Sequence, residues 1–405
     1  MKAVRVILAV ALGWAAWEAA RLGYADWVAQ AKTREGLERA IRIAPENSRN
    51  YALLGRLLAA SDAAGSEAAF QGAVRRNRWD SESLIELGLW AEARGDRGRA
   101  ERLLSEAARV DALYLPRWTL ANYYFRRGDA RQFQHWAREA ARMGYGDLTP
   151  LFRLAVLMAG EQGDVPKFLG LEKPDWLANY LSFAMSSKRF HELAPCARKL
   201  AWSRRAEDQG VVLAACDALA GEYKVEEALR VWEDACRSGL VGLPPEEAER
   251  GGVTNGEFRH APLGAGFDWR IPRHEGTEAG MIEPGRTLRI RLTGNQPERC
   301  ELLAQILPVR RGGDFLLEVE YRTWGLARES GLAWRIVGLE TAGRMGWLSS
   351  ESWTTAKAPF RIPDGVKLIR LALWYDRAAG TVRAEGEVAV RAVRWSAAER
   401  LPVTP

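Results

Sequence analysis

The stretch YALLGRLL, residues 51–58, recurs along the chain and decides the fold of its first half. A related segment, LIELGLWA, begins 33 residues later at Leu84, and another, WTLANYYF, begins 34 residues after that at Trp118. Each segment spaces its apolar residues three and four positions apart, which places them on one face of a helix. A period of this length indicates a helical unit that is repeated and stacked.

A second pattern occurs twice, as expected for the second helix of a hairpin. It reads Ala100-x-x-x-Leu104-x-x-Ala107 and returns as Ala228-x-x-x-Trp232-x-x-Ala235, while the turn signal Arg-Gly-Asp stands at 94–96 and 127–129. Small residues let two antiparallel helices approach closely, and the large ones fill the space between successive hairpins. The two patterns resemble the tetratricopeptide repeat over roughly residues 30 to 242, with an irregular unit expected at 160–174, where Gly and Pro interrupt the pattern.

The resemblance implies that the first helices line a surface where an extended peptide or a helix of a partner protein binds. Register within the repeat places Arg56, Leu89, Tyr123 and Arg126 on that surface. Their mixed basic and aromatic character suits a peptide or an acidic chain. The alternative interpretation is that these residues lie on solvated helix faces that bind no ligand.

The amino terminus has the pattern of a signal anchor. Lys2 and Arg5 precede the apolar run 6–17, and the small residues that signal cleavage requires are lacking, because Glu18 or Trp17 would occupy the key position. Basic residues ahead of an apolar run keep that end cytoplasmic. We therefore expect residues 1–24 to cross a bacterial inner membrane once and the bulk of the chain to be periplasmic; a cleaved signal peptide and a buried first helix are the alternatives.

Helical periodicity ends in a Gly-, Pro- and Glu-rich segment, and alternation of apolar and polar residues replaces it. In 315–323, FLLEVEYRT, one face is apolar and the other charged, and 288–292 and 369–375 alternate in the same way. Turn signals separate these runs. The sequence thus predicts an α + β multidomain chain: a membrane helix (1–24), helical repeats (25–245), a linker (246–256) and an antiparallel, jelly-roll-like β-sandwich (257–398).

A short string near the start of the sandwich carries a second resemblance. Residues 266–271, GFDWRI, followed by Gln296-Pro297-Glu298, resemble carboxy-terminal domains of repeat proteins from bacterial envelope polysaccharide loci, which look like carbohydrate-binding modules. Such modules stack sugar rings on aromatic side chains. Trp347 and Trp353 lie in a turn-rich stretch and are the candidate glycan contacts, with anchoring of loops or core as the competing role.

Several functional classes lack support in the sequence. The basic residues are spread along the chain and no nucleic-acid-binding motif occurs, so no nucleic-acid partner is expected. The four Cys and four His have no metal-ligand spacing, and we find no nucleotide-binding or hydrolase motif. Glu298, Glu301 and Asp376 are read as surface or salt-bridge residues. We expect no catalytic residues, no cofactor and no metal, and therefore not an enzyme; a Cys216–Cys236 disulfide is left open.

Two functions follow from the resemblances. The first is a membrane-anchored scaffold whose repeats bind envelope proteins or peptide segments and assist polymerisation, ligation or export of an exopolysaccharide or O-antigen. The second is a carbohydrate-binding protein in which the repeats are a stalk. The sequence does not decide between them.

Overall fold

A computed structural model describes residues 2–143, 146–245, 248, 250–282 and 286–398. The chain divides into two compact units, Met1–Leu171 and Glu172–Pro405. Helices precede strands along the sequence, and the expected α + β fold class is confirmed.

The first unit is a stack of antiparallel helical hairpins. Its helices within the described residues are α1 (Lys2–Ala29), α2 (Arg34–Ile43), α3 (Ser48–Leu58), α4 (Ala63–Arg76), α5 (Ser81–Ala93), α6 (Arg97–Val110), α7 (Tyr114–Arg126), α8 (Ala130–Met143), α9 (Thr149–Ala159) and α10 (Val165–Leu169). Each odd-numbered helix from α1 to α7 packs against the next even one. The five-residue α10 lies in the irregular unit expected from the Gly and Pro residues.

Small residues at the helix crossings explain the close packing of these hairpins. Ala100, Leu104 and Ala107 are all fully buried on α6. A Cβ on Gly88 of α5 would meet the Leu104 side chain at 2.6 Å, and one on Gly55 of α3 would meet the Phe70 ring at 2.9 Å. The glycines of the repeat pattern are therefore the positions at which the second helix places its large residue.

The helix α1 has two parts that differ in exposure. Its apolar side chains from Val4 to Trp17 are exposed, and the span Val4–Ala29 is long and apolar enough to cross a membrane. Its last turns, with Ala25, Val28 and Ala29 buried, pack on α2 and α3 as the first helix of the first hairpin. The boundary expected at residue 24 thus falls inside one continuous helix.

The second unit contains two more hairpins and the β-sandwich. Its helices within the described residues are α11 (Pro174–Ser186), α12 (Phe190–Ala201), α13 (Gln209–Gly221) and α14 (Val225–Arg237). The strands there are β1 (Thr277–Ile282), β2 (Thr287–Thr293), β3 (Arg299–Pro308), β4 (Gly313–Trp324), β5 (Leu332–Ile336), β6 (Arg344–Met345), β7 (Thr354–Ile362), β8 (Leu368–Asp376) and β9 (Glu385–Ala397).

Two antiparallel sheets enclose the core of the sandwich. The order of the larger is β1-β2-β9-β4-β7 and that of the smaller is β3-β8-β5-β6. Alternate residues such as Leu317, Val319 and Leu373 point inward, as the period of two in the sequence requires. Trp269, which lies ahead of β1, is fully buried in the same core, and its indole N–H donates to the carbonyl of Asn255 at 3.1 Å.

Candidate functional site

The first candidate surface is formed by the odd-numbered helices α3, α5 and α7, where the expected arginines are exposed. Arg56 pairs with Glu82 at 3.2 Å, so that α3 is joined to α5. Arg126 of α7 donates two hydrogen bonds to the Glu92 carboxylate of α5, at 2.9 and 2.6 Å. Both arginines thus meet a carboxylate of the neighbouring repeat, and the surface carries alternating charges.

Acidic residues of this surface were absent from the sequence prediction. Glu86 lies near Arg56 and Glu82, and burial raises the pKa of its carboxyl. These three residues also line a recess of about 270 Å³ together with Leu115. The only signal in the sequence was the spacing of 34 residues between Glu92 and Arg126, which is the repeat period itself.

The structure corrects the expectation for Tyr123. Its side chain is fully buried, its hydroxyl donates to the carbonyl of Arg97 at 3.1 Å, and it accepts from Arg127 at 2.6 Å. The ring also packs edge-on against Tyr124. Tyr123 therefore braces α7 against α6 and offers no ring to a ligand. Leu89 is half-buried, so it contributes only part of its side chain to the surface.

The second candidate surface is on the sandwich, where the two expected tryptophans differ. Trp347 is 40% exposed and its ring lies 6.0 Å from the Arg344 guanidinium. Trp353 is half-buried, with the guanidinium of Arg391 at 4.0 Å from its ring centre and that of Arg322 at 5.0 Å. Arg322 also lies 3.9 Å from the Trp324 ring. Two guanidinium groups thus already lie against Trp353, whereas the ring of Trp347 is more open.

The string GFDWRI also lies within the second unit, and its residues connect the sandwich to the last hairpin. The Asp217 carboxylate of α13 accepts from the Gly266 N–H at 2.8 Å and from the Arg270 guanidinium at 2.5 Å. Burial raises the pKa of Asp217, and Arg270 opposes that rise. Phe267 packs edge-on against Trp232 of α14. Gly266, Phe267 and Arg270 of the string therefore contact the helical hairpin that precedes the sandwich.

A cleft of about 840 Å³ lies beside this junction. Its wall includes Asp217 and the exposed ring of Tyr223 on the helical side, with Arg270 and Arg370 on the sandwich side. Arg270 is paired with Asp217, and Arg370 donates two hydrogen bonds to the Glu301 carboxylate at 2.8 and 2.5 Å. Since these charges are engaged within the protein, we assign the cleft no ligand.

The remaining candidates for chemistry have structural partners. Glu298 pairs with Arg377 at 3.2 Å and Asp376 with Arg299 at 2.9 Å, while Cys216 and Cys236 are buried thiols. Within the described residues, no three His, Cys, Asp or Glu side chains come together as metal ligands would.

No family model and no curated protein matches this sequence. Among solved structures, a tetratricopeptide-repeat protein described as having an unusual peptide-binding site, YrrB, is 12% identical, with a TM-score of 0.28 over 51% of this chain and 93% of its own. The pilus biogenesis factor PilW is 11% identical, with a TM-score of 0.27 over 55% and 97%.

The sandwich has matches of another kind. A CBM4 structure is 12% identical, with a TM-score of 0.29 over 36% of this chain and 98% of its own. A carbohydrate-binding module of Cellvibrio mixtus lichenase 5A, solved with cellotriose, is 12% identical, with a TM-score of 0.21 over 32% and 92%. The chain is thus similar to tetratricopeptide-repeat proteins in its helical part and to carbohydrate-binding modules in its sandwich.

Proposed function

We propose that this chain is a membrane-anchored scaffold with its bulk in the periplasm, which binds envelope proteins through its repeats and assists the assembly or export of a cell-envelope polysaccharide. In this proposal it performs no catalysis itself. The observation that carries the proposal is the exposed apolar part of α1, which runs without a break into the first hairpin. The exposed apolar and small residues at 6–17 are costly in water but favourable in a bilayer.

Orientation is tested with reporters fused after Pro245 of the otherwise intact amino-terminal part. Because Lys2 and Arg5 precede the apolar run, alkaline phosphatase should be active at this position and a cytoplasm-only fluorescent reporter should be dark. The opposite pair of results would reverse the topology. Release of the full chain from membranes by alkaline carbonate would overturn the anchor itself.

Protein binding by the repeats is supported by the alternating charges of α3, α5 and α7. A partner that binds this surface must present charges that alternate in the complementary order. Reversing one pair of charges should therefore prevent recovery of partners from solubilised membranes. The variant Arg126→Glu places two carboxylates together, whereas Arg126→Glu combined with Glu92→Arg restores the internal pair with reversed polarity. Both variants should fail to recover the partner if the partner recognises the order of the charges. Recovery by the double variant alone would mean that the ion pair only maintains the fold.

A second function, glycan binding with the repeats as a stalk, is favoured by one observation. The ring of Trp347 is exposed on a loop of the sandwich, where an apolar sugar face can stack on it. Retention of polysaccharide by the full chain, without recovery of any protein partner, would favour this function over the scaffold.

A further inference from the structure

The helical hairpins of the first unit have two edges of different composition. The proximal edge consists of the turns that follow α2, α4 and α6, together with the end of α8; the distal edge consists of the turns within the hairpins. Contacts between repeats hold the proximal turns in one row: Arg76 donates to the Pro45 carbonyl, and Ser81 donates to the Asp111 carboxylate at 2.7 Å.

The proximal edge lies beside the carboxy-terminal end of the exposed apolar part of α1. Arg21 of α1 donates to the Ile43 carbonyl at 2.8 Å and to the Glu46 carboxylate, both beside the turn between α2 and α3. Arg21 also pairs with Glu18 at 2.6 Å, which offsets that carboxylate's charge. The turn between α2 and α3 is therefore held against α1, close to the carboxy-terminal end of the exposed apolar part of that helix.

Helix length decides how close the bilayer comes to this edge. From Val4 to Trp17, α1 rises only about 21 Å at about 1.5 Å per residue, whereas the hydrocarbon core is about 30 Å thick. To cover that core, the span must extend to about Leu22. The level of Arg21 and Glu46 then coincides with the lipid headgroups.

Exposed apolar side chains occur along the proximal edge. The exposed fractions are 55% for Trp79, 68% for Leu113, 49% for Leu115 and 38% for Met143. The distal turns at 59–62, 94–96 and 127–129 carry Ala, Ser, Gly, Asp and Arg instead, while Trp27 (65% exposed) and Leu57 (42% exposed) lie in the helices ahead of two distal turns. Trp and Leu beside basic residues are typical of surfaces that enter the headgroup region.

Exposed arginines occur on both edges. Near the distal edge, Arg94 and Arg127 have carboxylate partners, Glu67 and Glu101, whereas Arg97 and Arg131 have none within 4.0 Å among the described residues. On the proximal edge four exposed arginines have no carboxylate within 4.0 Å among the described residues: Arg42, Arg49, Arg75 and Arg78. Phosphate groups of anionic lipids are the complementary partner for such guanidinium groups.

We propose that the proximal edge lies on the surface of the bilayer that α1 crosses, with Trp79 and Leu113 among the headgroups and the four arginines on anionic phospholipids. The inference rests on the proposed membrane anchoring. In this arrangement α1 and the hairpins are not joined by a flexible linker. The hairpins near α1 are held close to the membrane, and their distal edge faces away from it.

The test uses the full chain in vesicles of phosphatidylethanolamine and phosphatidylglycerol with lipids that carry a nitroxide quencher near the headgroup or, for position 10, on the acyl chain. A fluorescent probe is attached to one introduced cysteine, Val10→Cys in the anchor, Leu113→Cys on the proximal edge or Ser61→Cys on the distal edge. The four native cysteines are buried, and the unsubstituted chain measures any background labelling. Quenching at 113 should exceed that at 61 by at least about twofold.

Charge is tested in the same vesicles with two matched double variants. Arg75→Glu with Arg78→Glu should reduce quenching at 113 to the level at 61, while Arg97→Glu with Arg131→Glu, at exposed positions on the distal side, should leave it unchanged. Quenching at 10 together with equal, low quenching at 113 and 61 overturns this inference but leaves the anchor in place. Lack of quenching at 10 instead overturns the proposed anchoring.

Discussion

Gly266 lies directly against the indole ring of Trp232. A Cβ placed on Gly266 would meet the ring carbon Cζ3 at 2.5 Å, and the backbone φ of +62° already belongs to the left-handed region. A residue with a side chain is therefore disfavoured twice here, by strain of the backbone and by collision with a fully buried ring.

The first prediction is that Gly266→Ala weakens the packing of α14 against the segment that leads into the sandwich. We expect a loss of about 3 kcal/mol in the free energy of unfolding, from backbone strain and overpacking together. Gly264→Ala is the matched control: its φ is +76°, but nothing lies within 4 Å of the added Cβ. It should cost only about 1 kcal/mol, from strain alone.

Hydrogen exchange of the full chain in detergent measures the effect locally. Exchange should accelerate in α13, α14 and residues 263–271 for Gly266→Ala and change little for Gly264→Ala. Equal effects of the two substitutions would mean that the contact with Trp232 contributes no stability.

The second prediction concerns pH and Asp268. Burial raises the pKa of its carboxyl from 3.8 to about 6, although the Leu263 N–H donates to it at 2.8 Å. Between these two values the folded chain keeps a proton that the unfolded chain has released, so stability falls as pH rises from about 4 to about 6. Above that range the cost is constant at roughly 3 kcal/mol.

Asp268→Asn removes this titration and keeps an oxygen that accepts from Leu263. Relative to the unsubstituted chain, the variant should have similar stability at about pH 4 and be more stable by up to about 3 kcal/mol at pH 7. Denaturant unfolding at several pH values measures the difference, with the exposed Asp314→Asn as control. A difference that does not change with pH would refute a raised pKa.

The third prediction tests the repeat register. Gly88→Trp should force α5 away from α6, because even a Cβ at this position would meet Leu104 at 2.6 Å. We expect a loss of about 2 to 4 kcal/mol. Gly98→Trp on the exposed side of α6, where nothing lies within 4 Å, serves as the control. If the two variants melt at the same temperature, the assigned crossing of α5 and α6 is wrong.

The fourth prediction separates the roles of the two loop tryptophans. Trp353→Ala removes a ring that the guanidinium groups of Arg322 and Arg391 contact and should cost about 1 to 2 kcal/mol of stability. Trp347→Ala should leave stability unchanged and instead weaken retention in gels that contain polysaccharide, with Trp347→Phe retaining part of the effect. Unchanged retention for both alanine variants would remove the glycan-binding function.

The sequence by itself determined the features that depend on local periodicity. Apolar residues at helical spacing, with Gly55 and Gly88 at the crossings, specify hairpins because the period of a helix fixes which residues share a face. Alternation in 315–323 specifies a strand with one wet face for the same kind of reason. The apolar run after Lys2 and Arg5 predicts the helix α1 from the sequence alone, because it requires no information about tertiary contacts.

Only the tertiary structure decided what each exposed position meets. Tyr123 has the same place in its repeat as Arg56, yet Arg97 and Arg127 engage its hydroxyl and bury it. Trp353 contacts guanidinium groups from two different strands. Residues 75–79, RRNRW, form a basic cluster with a tryptophan in the sequence itself, but the turns that lie beside it in the proximal edge are more than thirty residues away. Such surfaces arise from stacking, because helical spacing fixes the face of each helix but not the neighbours that the folded chain brings against it.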